Sequence, residues 1–142
     1  MKKHLIAAVL AAALAQPAAA ITFPSLTTIY VGSGVTDSGG AVNAGVATSF
    51  HCTNVSGFTA SVRFLVLHLD GTVAGSFIQP AVAHGRTQSV ATHGTVVFGS
   101  EQATSPGTVI NQGSIIIEST ESAVFCTAAL VVAGAALPTY AK

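Results

Sequence analysis

The sequence predicts an all-β domain, a two-sheet antiparallel sandwich of seven to nine short strands, and three observations lead there. Half of the residues are hydrophobic and only 7% are charged, a balance that suits strands, because helices carry Glu, Lys and Arg along their exposed faces. Short apolar stretches alternate with clusters of Gly, Ser, Asn and Pro, and beyond the N-terminal leader none repeats with a helical period. Two cysteines lie far apart, one in an early and one in a late apolar stretch.

Residues 1–20, MKKHLIAAVLAAALAQPAAA, have two lysines, an apolar segment from Leu5 to Leu14, and small residues ending in Ala18-Ala19-Ala20. This is the three-part build of a bacterial-type secretory signal peptide, with cleavage expected before Ile21. The apolar segment is short for a membrane span, so removal is expected and not a transmembrane anchor. Residues 21–142 then form a single domain, near the commonest domain size. In that mature part Arg63, Arg86 and Lys142 face Asp37, Asp70, Glu101, Glu118 and Glu121, three positive charges against five negative, a net charge of −2 with neutral histidines. Nucleic-acid binding needs a concentrated row of Lys and Arg, which this chain lacks. A surface so poor in charge favours self-association or contact with other macromolecules.

The longest apolar run of the mature chain, Ala123 to Gly134 (AVFCTAALVVAG), reads as the central strand. Its expected partner is Gly45 to Asn54, in which Val46, Thr48, Phe50 and Cys52 point to the core while Ala47, Ser49 and His51 point away. Leu26 to Val31 is the first strand, followed by an exposed Gly-rich loop to Gly45. Phe58 to Asp70 is the longest strand candidate; its alternation puts Phe58, Ala60, Val62 and Phe64 on one face and fades into an apolar run from Phe64 to Leu69. Asp70-Gly71 signals a hairpin into Thr72 to Ile78, and Pro80 is expected to stop that strand. Arg86 to Thr92 and Thr95 to Phe98 read as short strands around His93-Gly94. Gly99 to Gly113 reads as a long loop with an extended patch at Val109-Ile110. Gly113 to Glu118 and Ala123 to Val132 read as an antiparallel hairpin around Thr120-Glu121-Ser122, and the chain from about residue 135 as a loose tail.

Two cysteines in an exported chain allow one disulfide, Cys52 with Cys126, and no C-x-x-C arrangement suggests redox activity. Closing so long a loop restricts the unfolded chain by roughly 4 kcal/mol. The placement of these cysteines on early and late strands resembles the inter-sheet bridge of immunoglobulin-like domains, with Phe64 standing where a tryptophan usually packs, since the chain has none. The resemblance implies architecture and no activity.

Four histidines remain after cleavage: His51, His68, His84 and His93. His84 and His93 lie in loop-like stretches and are the candidates for a metal site, with His51 or His68 as a further ligand, but no H-x-H, H-E-x-x-H or compact Cys-His spacing supports one. A hydrolase reading would use His93 as base with Asp70 or Glu101 and one of many serines; no G-x-S-x-G turn selects a nucleophile. Glu118 and Glu121 flank a corner, where acids are ordinary solubilising residues. Asn54-Val55-Ser56 matches a sugar-acceptor motif, and its expected value is as a turn. The expectation that follows is a periplasmic or secreted, non-catalytic protein without a cofactor. It would act through surface contacts with protein, glycan or its own copies, as an adhesive, binding or structural part of the cell envelope. A periplasmic histidine metal-binding protein and a small secreted hydrolase are the alternatives.

Overall fold

The computed structural model describes residues 25–98 and 101–132; the expected signal peptide and the expected loose tail lie outside them. The described chain is all β. Its strands are β1 (Thr27–Ser38), β2 (Val46–Asn54), β3 (Ala60–His68), β4 (Val73–Val82), β5 (Thr87–Ala91), β6 (Gln102–Ala103), β7 (Val109–Ser119) and β8 (Val124–Val132). They form two four-stranded sheets, ordered β1-β7-β3-β4 and β6-β5-β2-β8. Every pairing is antiparallel except the two-residue contact of β5 with β6.

Alternation builds the core between the sheets. Ala60, Val62, Phe64 and Val66 of β3 are fully buried, and they meet Phe50 and Cys52 of β2 and Ile115 and Ile117 of β7 in one cluster. Each fully buried Val, Ile or Phe among them contributes about 1.5–3 kcal/mol. The alternation of β3 persists through the apolar run, with Phe64 and Val66 inside and Leu65 and Leu67 partly covered on the outer face. Phe58 precedes the strand and is exposed.

Several expectations are corrected. β1 does not stop at Val31 but runs on to Ser38. Gly34, with φ 81°, falls between the pairs Ser33↔Ser114 and Val35↔Gly113 and so forms a bulge. Glycine permits this bend without ending the strand. β4 runs through Pro80, because β4 is an edge strand and the register shifts there, from Val62↔Gln79 to Ala60↔Val82. A missing N–H costs nothing on a free edge. Thr95 to Phe98 is not a strand, and β7 begins already at Val109.

The last two strands are not a hairpin. Both neighbours of β7 are taken, by β1 and β3, so the chain crosses at residues 120–123 to the other sheet and β8 pairs with β2. Among the described residues β8 is therefore an edge strand and not the central one. Cys52 and Cys126 form the expected disulfide, but as directly opposed residues of neighbouring strands, with Cα atoms 4.1 Å apart. The bond lies within one sheet, so the expected inter-sheet clasp is corrected to a cross-strand one.

Candidate functional site

The polar side chains that could do chemistry gather around one end of the β6-β5-β2-β8 sheet. His93 follows β5 and is buried, at 2% exposure. Its Nδ1 lies 2.8 Å from Asp37 Oδ2, and its Nε2 lies 3.0 Å from the carbonyl of Ala44. Both ring nitrogens therefore face groups of the protein itself at hydrogen-bond distance, and neither is open to a substrate or a cation. The second oxygen of Asp37 accepts from the Gly39 N–H at 2.6 Å, and the Asn43 N–H donates to the Gly94 carbonyl at 2.8 Å. Together these bonds pin the 37–45 loop to the turn after β5. The carboxylate that orients His93 is thus Asp37, not Asp70 or Glu101; residues 31–45 read as a solvated loop, and nothing in that pattern signals a buried acid.

Glu101 is the hub of a second cluster. Ser49 Oγ donates to Oε1 at 2.6 Å; the Thr95 hydroxyl and N–H donate to Oε2 at 2.5 and 3.2 Å. Ser49 Oγ also lies 3.3 Å from His51 Nε2, and His51 Nδ1 lies 2.9 Å from Ser89 Oγ. A hydroxyl has one proton to give. Since Ser49 gives its proton to Glu101, it accepts from His51 Nε2–H, and His51 Nδ1 then accepts from Ser89. In a nucleophilic triad the serine proton faces the imidazole; here it faces the acid, and Ser49 is fully buried. Burial lowers the pKa of His51, and the negative charge of Glu101 opposes that in part. The Phe98 ring meets the imidazole edge-on, centroids 4.3 Å apart. The segment after β5 is thus a strap over the outer face of β2, which explains why Ser49 is buried despite facing away from the core.

The remaining candidates are dispersed. His84 accepts from the Gly57 N–H at 3.1 Å on the surface. It and His93 flank β5 at opposite ends, roughly 16 Å of strand apart, so the structure does not bring them together. Among the described residues no group of three or more His, Cys, Asp or Glu is placed to hold a metal ion. His68 and Asp70 line an open groove of about 860 Å³ with Thr36, Thr72, Asn111 and Gln112. Asn111 and Gln112 bulge out of β7 between the pairs Val35↔Gly113 and Asp37↔Ile110. The Asp70 carboxylate accepts from the hydroxyl and the N–H of Thr72 at 2.6 and 3.0 Å, and these bonds hold its pKa below the ordinary value. Glu118 is engaged by Arg63 across β3 and β7.

The third feature is the free side of β8. Leu130, Phe125 and Val132 are more than half exposed on an edge strand without a charged residue. The Val55 N–H donates to the Ala123 carbonyl at 2.9 Å, which sets the alternation: Phe125, Thr127, Ala129 and Val131 bond to β2, while Val124, Cys126, Ala128, Leu130 and Val132 turn their N–H and C=O groups outward. The short Cα separation at Cys52 and Cys126 agrees, since the closer spacing belongs to pairs that do not exchange hydrogen bonds. Among the described residues no strand pairs with this side. Comparison with known proteins finds no matching family model, no matching curated protein and no matching solved structure.

Proposed function

We propose that this chain is an exported, non-catalytic β-sandwich, periplasmic or secreted, that acts through surface contacts, and that the β8 edge carries them. Export is supported by the leader and by the cross-strand disulfide, which suits an oxidising compartment. A non-catalytic role is supported by how the reactive groups are spent: Asp37 on His93, Glu101 on Ser49 and Thr95, Asp70 on Thr72. The single observation that carries the reading is the uncharged, half-exposed strand at the sheet edge, whose outer side pairs with no strand among the described residues. Of the partner kinds left open by the sequence, a strand edge favours protein, because its outward N–H and C=O row is matched by another strand.

The test is site-specific photo-crosslinking in the native cells. A photoreactive residue at Thr127 on β8 is expected to give adducts, and one at Ile78 on the proline-blunted β4 edge is not. Absence of adducts at Thr127 would remove the reading.

A further inference from the structure

We infer that β8 pairs antiparallel with β8 of a second copy of this chain, about a two-fold axis at Ala128, joining two four-stranded sheets into one of eight strands. This inference rests on the β8 edge being the contact surface and names its occupant.

A sandwich has four sheet edges, and natural proteins blunt them with bulges, prolines, charges or shortness. Three edges here are blunted. β1 carries three register shifts and turns the Asp37 carboxylate inward; β4 carries Pro80 and two register shifts; β6 is two residues long. β8 carries none of these devices. Its nine residues pair with β2 in unbroken register, Val46↔Val132 to Asn54↔Val124, and contain no proline and no charge. The disulfide at Cys126 further fixes the strand to its neighbour. The result is a preformed template in unbroken register.

The sequence of β8, VFCTAALVV, is complementary to its own reverse. Pairing about Ala128 sets Val124 against Val132, Phe125 against Val131, Cys126 against Leu130 and Thr127 against Ala129. Each bulky exposed side chain meets a partly or fully covered one: Leu130, 63% exposed, lies over the partly buried Cys126, and Phe125, 68% exposed, beside the buried Val131. Apolar cross-strand pairs of this kind stabilise sheets, and no like charges oppose each other. The outward groups fit the same register. Val124, Cys126, Ala128, Leu130 and Val132 all fall opposite members of their own set, which yields about ten inter-chain hydrogen bonds with none left over. A C2 interface of this form closes on itself and gives a dimer, not a fibre.

Sedimentation equilibrium on the protein recovered after export tests this, with Ala128→Pro and Leu130→Lys as variants. The Ala128 N–H points outward, so proline there removes the central inter-chain bonds without touching the β2 ladder. The wild type is expected to pass from monomer to dimer with rising concentration, and Ala128→Pro to weaken dimerisation roughly thirtyfold. Leu130→Lys is expected to act in the same direction, with both variants keeping the disulfide and the wild-type β-sheet circular dichroism. A wild type that stays monomeric up to about 1 mM overturns the inference, as does a dimer that both variants leave intact. Thr127 adducts to a different protein would then still support the β8 edge as the contact surface, whereas no adducts at all would remove both readings.

Discussion

Asp37 and His93, fifty-six residues apart in the chain, meet in the interior at 2.8 Å between Oδ2 and Nδ1. This bond ties the end of β1 to the end of β5, and so one sheet to the other, at the end of the sandwich covered by the strap. Removing one partner of a buried hydrogen bond costs about 1–3 kcal/mol, because the other is left unsatisfied. Asp37→Ala is therefore expected to lose stability on that scale. Asp37→Asn is expected to lose only about 1 kcal/mol, since an amide can donate to Nδ1 of a ring protonated at Nε2. Urea unfolding of both variants checks this; equal losses would mean that shape, and not the hydrogen bond, holds the contact.

His51 gives the protein a pH dependence whose sign is fixed. Burial holds its pKa below the ordinary 6.5 in the folded state, so the unfolded chain binds the proton more readily. Stability is complete above the unfolded value and falls as the pH drops through it, until the folded group also titrates. The expected loss sets in as the pH falls through about 6.5, and His51→Gln is expected to flatten that slope. Because the Glu101 charge pulls the other way, Glu101→Gln should lower the His51 midpoint further. An NMR titration of the imidazole reads this directly, and an unmoved midpoint would show that the two groups are not coupled.

Asn54 is the residue of the Asn-Val-Ser motif, and its side chain is fully buried. Its Nδ2 donates to the carbonyls of Phe58 and Val82, both at 2.7 Å, and its Oδ1 accepts from the Ser56 N–H at 2.9 Å. Every hydrogen-bonding group of the amide is thus used to lock the β2–β3 turn onto the end of β4. Asn54→Ala is expected to cost about 2 kcal/mol or more. Asn54→Asp should be worse, because a carboxylate would face two carbonyl oxygens. Thermal unfolding of the pair gives the order, and an aspartate less damaging than alanine would contradict this account.

What the sequence made legible was what alternation and turn chemistry carry locally. The core face of β2 and β3, the Asp70-Gly71 hairpin and the pairing of Cys52 with Cys126 were readable because each depends on neighbouring residues or on elimination. Sheet membership was not readable. Nothing in Thr120-Glu121-Ser122 distinguishes a hairpin from a crossing, and that choice is settled by β1 and β3 occupying both sides of β7. The long apolar run of β8 suggested a central strand because hydrophobicity reports burial or contact without saying which. Pro80 and Gly34 misled for the opposite reason: both interrupt a regular ladder, and both are tolerated where a strand has a free edge. The Glu101 and Asp37 clusters were invisible because both acids sit in polar, loop-like stretches far along the chain from Ser49 and His93, which they respectively bind.

The position of the disulfide decides which part of the molecule loosens when it is lost. Replacing Cys52 and Cys126 together by serine is expected to cost roughly 4 kcal/mol if the entropic account holds. A bond between sheets would protect the whole sandwich, but this one joins an edge strand to its only neighbour among the described residues. Its loss should therefore let β8 open before the rest: the amides of Phe125, Thr127 and Ala129, which bond to β2, should exchange faster, while those of β3 and β7 keep exchanging only by global unfolding. Hydrogen exchange on the double variant separates the two cases. If β3 and β7 were to open at the same free energy as β8, the bond would be holding the two sheets together and not merely the edge.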